Sequence, residues 1–140
     1  MTSIPADSEP HIRAVVDALS TALQLLPTPI HAYLGTRPDD DTTCVVVHGT
    51  PGQVSGSLGD RYADIQLDFQ ATAVGTGPEQ AQAYADATRR ALLAVPPPAV
   101  TGRAVWPLWQ TAAQPVARDD TVNPALWIAT AQYVIKSNPA

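Results

Sequence analysis

Cysteine is almost missing: Cys44 stands alone among 140 residues, so the chain can close no internal disulfide. Set in an apolar run, that thiol reads as a small core hydrophobe rather than a nucleophile. Charge is scarce too. Asp, Glu, Lys and Arg make up 15% of the chain against 45% hydrophobic residues, enough for a core but little for an ionic surface. That balance suits a subunit covered by neighbours. Lysine occurs once, at Lys136, the net charge is −5, and there is no basic block. A protein that grips nucleic acid through its phosphates is excluded on that ground. No apolar run approaches the roughly 18 residues that span a bilayer, and MTSIPADSEPHIR has neither a basic n-region nor an apolar h-region. We expect a soluble protein with no membrane contact and no cleaved leader, folded as a single domain over 1–140.

What is present is a legible series of elements. Ile12, Val15, Val16, Leu19, Ala22, Leu23 and Leu26 form an amphipathic stripe that predicts a helix from Ser8 to Leu26, capped by Asp7 or Ser8 and ended by Pro27. PTPIHAYLG predicts a short strand after Pro29, and CVVVH a central strand buried on both faces. Gly49 to Gly59 holds four glycines and a proline, and is expected to be a mobile arm. From Arg61 to Ala73 the alternation is nearly complete. Ile65, Leu67 and Phe69 go to one face, while Asp64, Gln66 and Asp68 go to a wet, acidic one. An alanine-rich stripe predicts a second helix from Pro78 to Ala94, stopped by Pro96-Pro97-Pro98. Two further extended segments follow, about 103–116 and 126–135. The order gives an α+β fold, a mainly antiparallel sheet of about four to five strands flanked by two helices.

The candidate sites are weak ones. Gly75-Thr76-Gly77 lies between strand and helix, where phosphates are often held, but no third glycine follows and no Gly-Lys-Ser/Thr closes it. Thr76-Gly77-Pro78-Glu79 instead meets the S/T-x-x-E pattern of a capping box, with Thr76 and Glu79 as its reciprocal partners. Cys44 and His48 are four residues apart on a strand, roughly 13 Å and too far for a dyad. His11, His31 and His48 are expected at the surface, and none has a second ligand at zinc spacing. Asp39-Asp40-Asp41 reads as a solvated turn without the ligand spacing of a calcium loop. Asp64 and Asp68 are again roughly 13 Å apart along one strand face, too wide for the usual acid and base pair. Trp106, Trp109, Trp127 and Tyr133 suit core packing and subunit contact. We expect no enzyme, no cofactor and no metal site.

The order of these parts resembles the tail terminator, or tail completion, proteins of long-tailed, siphovirus-type bacteriophages, especially those of actinobacteria. The resemblance runs through PIHAYLG, CVVVH, the Gly/Pro loop, DIQLDFQATAVG, GPEQAQAYADATRRALL, GRAVWPL, the VARDD turn and ALWIATAQYVI, nearly the whole chain. It implies a ring-forming subunit of the virion, a hexamer at the head-proximal end of the tail. Its partners would be further copies, the tail tube protein and a head completion or stopper protein, after assembly in the host cytoplasm. Genomic DNA would pass through without specific binding. On that reading Asp64 and Asp68 face the lumen and repel phosphates, and the loop Gly52, Gln53, Val54, Ser55, Gly56, Ser57 and Leu58 contacts the tube or a neighbouring subunit. A head-tail connector, a stopper or a minor capsid protein could share the plan. A small ligand-binding or enzymatic α+β domain is the rival from another class.

Overall fold

The computed structural model describes residues 6–140, with the side chain of Arg61 excepted. The reading of the first five residues as no part of a leader lies outside the described residues. The elements follow in the order α1 (Ser8–Leu23), β1 (His31–Leu34), β2 (Cys44–Gly49), β3 (Gln53–Ser57), β4 (Asp60–Gly75), α2 (Pro78–Leu92), β5 (Arg103–Val105), β6 (Trp109–Ala113), β7 (Ala117–Asp119) and β8 (Leu126–Pro139).

The spine is the antiparallel pair β4 and β8, in register from Ile65 opposite Ser137 to Gly75 opposite Trp127. Its period of two separates the faces cleanly. Ile65, Leu67, Phe69, Ala71 and Ala73 are buried with Ala129, Tyr133 and Ile135, and the rings of Phe69 and Tyr133 stack at 5.6 Å. Both helices lie on this face. From α1 come Ile12, Val15, Leu19 and Leu23, and from α2 Ala81, Ala87 and Leu92, all in the same core. The small side chains of α2 let it approach closely. At Gly75, where β4 turns towards α2, an added Cβ would stand 2.9 Å from the Ala81 nitrogen.

The fold is the expected α+β arrangement, with eight strands in the sheet and one parallel pair, β1 beside β2. The extra strands arise because one outer side of β8 is covered in turn by three short segments, β5, β6 and β7. The stretch from 103 to 116, expected as one extended segment, is broken by Pro107 and by a register shift between Gln110 and Ala112. β2 is buried over Cys44–Val47 as its β-branched run requires. On the face away from the helices, Cys44, Val46, Val74 and Leu126 make a second, smaller core at one end of the sheet.

Candidate functional site

Gly49 to Gly59 is not an irregular loop. Gln53–Ser57 is a strand that forms a hairpin with the start of β4, pairing Gln53 with Gln66, Val54 with Ile65 and Ser55 with Asp64. Alternation of Gln53, Val54 and Ser55 suits a strand, and the glycines serve its geometry rather than disorder. Gly52 has φ +78°, and a Cβ on Gly56 would come within 2.0 Å of the Asp60 carbonyl oxygen, where the pairing shifts register. Every residue of β3 is exposed. The apolar side chains Val54, Tyr62 and, at the tip, the fully exposed Leu58 therefore meet solvent on a projecting arm.

The capping box at the end of β4 is corrected by one residue. Pro78 takes the first helical position, so the N-cap is Gly77, which has no side chain to offer, and neither Thr76 nor Glu79 makes the cap bond. Gln80 performs the return contact instead: its Oε1 accepts from the Thr76 backbone N–H at 2.8 Å and from the Thr76 hydroxyl at 3.0 Å. Asp7 is likewise the N-cap of α1 without a side-chain cap bond.

Asp64 and Asp68 do share the face away from the helices, with Asp68 exposed and Asp64 half-buried. That face is polar more than acidic. Gln66, Gln70 and Gln132 flank the carboxylates, and Lys136 stands opposite Gln66, between the two aspartates along the neighbouring strand. The Lys136 ammonium lies 4.5 Å over the ring of Trp106, whose Nε1–H donates to the Asn138 Oδ1 at 2.8 Å. Trp106 and Trp109 remain partly exposed beside β8.

His31 and His48 are exposed as expected, but His11 is buried, at 1% exposure, because it shares the inner face of α1 with Ile12 and Val15. Its Nδ1–H donates to the Asp7 carbonyl at 2.6 Å, which leaves Nε2 to accept the Ser137 hydroxyl at 2.6 Å. The Ser137 oxygen in turn accepts from Arg103 Nε at 3.0 Å, and Arg103 also donates to the Ala63 carbonyl at 2.6 Å. Burial lowers the His11 pKa, with the Asp7 carbonyl opposing and the Arg103 charge assisting. Burial also lowers that of Arg103, against the raising influence of Asp64 and Asp60. The serine and histidine geometry is suggestive of a hydrolase pair, yet Ser137 is wholly buried and can meet no substrate. This network is a pin: it ties α1 and β5 to β8 and to the root of the arm.

Asp39 and Asp40 are exposed, whereas Asp41 accepts the Tyr33 hydroxyl and the Thr43 amide. The hydrogen bond to that carboxylate pushes the Tyr33 pKa up to about 12. Arg37 gathers the same turn through the Pro38, Asp39 and Asp41 carbonyls. Burial pushes the Cys44 thiol up to about 11, an inert value.

No family model matches the chain, and no curated protein matches it. A chain in the solved structure of the virion of a native gene transfer agent particle is similar in fold, with a TM-score of 0.61 at 16% identity. The similarity is of the whole fold. It covers 94% of this chain and 95% of that one.

Proposed function

We propose that the protein is a structural component of a phage-like virion, and within it a tail terminator. It would form a ring, a hexamer, that caps the head-proximal end of the tail tube and meets the head completion proteins. The observation that carries this is the end-to-end fold likeness to a chain of a gene transfer agent virion. The chain's own features agree with it. Few charges, an arm whose strand β3 is exposed at every residue and two partly exposed tryptophans suit a subunit whose surface is covered on assembly. DNA would pass the polar face bearing Asp64 and Asp68 without being held there.

The test is co-expression with the tail tube protein of the same particle. Electron microscopy should show tubes closed at one end by a ring of this chain, and tubes of uncontrolled length when it is omitted. Tubes that grow identically with and without it would overturn the terminator role.

A further inference from the structure

The ladder between β4 and β8 stops at Ile65 opposite Ser137, although β4 reaches back to Asp60 and β8 runs on to Pro139. Beyond that pair the strands part like a fork, and the arm is the prong made by β3 and the start of β4. Continued in the same register, the ladder would set Ala63 opposite Pro139, which has no amide hydrogen to offer. A side chain closes the fork instead. Arg103 Nη2 donates to the Ala63 carbonyl at 2.6 Å and to the Ser137 carbonyl at 3.1 Å, one from each prong. Its Nε is steadied at 3.0 Å by the Ser137 hydroxyl oxygen, whose hydrogen is committed to His11 Nε2 at 2.6 Å.

We propose that this is an acid-operated latch: a proton on His11 turns the Ser137 hydroxyl, drives Arg103 out of the fork and lets the arm swing away from the body. With Nε2 protonated, imidazolium and guanidinium would both donate to one oxygen, and the hydroxyl hydrogen would lose its acceptor inside a buried site. Arg103 cannot shed its charge, so relief comes by moving it. The charges that act here are few. Arg103 of β5 opposes protonation of His11 and Asp7 at the cap of α1 favours it, while Asp60 and Asp64 on the arm act on Arg103 to keep it charged. Glu9 and Arg13 pair on the outer side of α1, His31 of β1 and Arg89 and Arg90 of α2 are exposed, and Lys136 stands on the other face of the sheet. Burial is the largest influence on His11 and holds its pKa below 6.5, so the latch is shut at neutral pH and opens as pH falls through that lowered value. The pairs of β3 with β4 take no part in it, so the arm moves as one piece. The latch lies within a single copy and does not depend on a ring.

Nitroxide labels on Ser57→Cys in the arm and Ala83→Cys on α2, both exposed, read the swing as a distance distribution in the full chain. Cys44 is buried and takes no label. One narrow distance is expected at about pH 7.5, with a displaced population growing about tenfold by about pH 5.5. The same labelled chain carrying His11→Gln should give one distribution at both, and a pair on Asp17→Cys and Ala83→Cys, one on each helix, should hold its distance throughout. An arm distance indifferent to pH while His11 is present would overturn the latch. So would an equal change in His11→Gln, or a change between the helices that accompanies it and shows the whole fold loosening. NMR of the unsubstituted chain needs no variant to fold: the Arg103 Nε–H signal should shift with the same midpoint as the His11 ring, and separate midpoints would also overturn the proposal.

Discussion

His11 holds its place only as a neutral imidazole. Protonation at Nε2 would set a second cation beside Arg103 and turn the bond from Ser137 around, in a site closed to water. Because its folded pKa lies below the ordinary 6.5, the unfolded chain takes up the proton first. The stabilisation is thus complete above that value and is lost as pH falls below it towards the lowered folded pKa. Thermal unfolding followed at about pH 7.5 and about pH 5.5 should show a fall in Tm that is smaller in His11→Gln, a variant less stable at the higher pH. An equal fall in both would assign the acid sensitivity elsewhere. Ser137→Ala removes the donor to His11 and one acceptor of Arg103 together. We expect a loss of about 2 to 3 kcal/mol in denaturant unfolding at neutral pH. A change within the noise of the measurement would mean that water replaces the hydroxyl.

At the scale of elements, the arm and the two long strands differ in what holds them. β4 and β8 are fixed by core side chains over most of their length, whereas β3 has backbone pairing and almost no burial. Gly56→Ala drives a methyl group into the Asp60 carbonyl, so it should break the hairpin and leave the core intact. Hydrogen exchange would then speed up at Gln53–Ser57 alone, with Tm shifted by only a few degrees. Global loss of protection would show that the arm is part of the cooperative core. The same contrast explains what could be read in advance. The alternation of β4, the stripe of α1 and the β-branched run of β2 are periodic signals created by burial, and each appears where its pattern put it. β3 alternates over only Gln53, Val54 and Ser55 and has no apolar face, because it is exposed, and its glycines look like those of a loop. α1 ends at Leu23 rather than Leu26, because the chain tightens there: the Leu25 and Leu26 amides bond three residues back, to the Ala22 and Leu23 carbonyls. The cap at Gly77 was misplaced by one residue because Thr76 and Glu79 fit the spacing, while Pro78 decides the frame. His11 carried one signal, its i+4 spacing from Val15, which composition alone obscures.

For the whole molecule, the fold class was legible and the site was not, since an assembly surface is built from ordinary residues brought to an edge. Trp106, Lys136 and Val54 are distant in sequence and unremarkable singly; only the strand order brings Lys136 over Trp106 and sets Val54 on an exposed arm. The polar face gives a further prediction. If DNA slides past Asp64 and Asp68, replacing both with Lys should leave folding and ring formation unchanged. Infectivity or gene delivery should drop at least tenfold, more steeply at low salt. Normal delivery by particles shown to contain the variant would remove that face from the DNA path.

β8 is the last of the eight strands to leave the ribosome, yet it is the partner of β4, β5, β6 and β7. Until it emerges, the nascent chain has the arm but not the strand that sets the opposite edge in place. A contact between residues some sixty positions apart, as in Ala71 with Ala131, must form before the sheet is whole. Synthesis thereby acts as a timer: the core face of β4 stays open until the closing strand has been made.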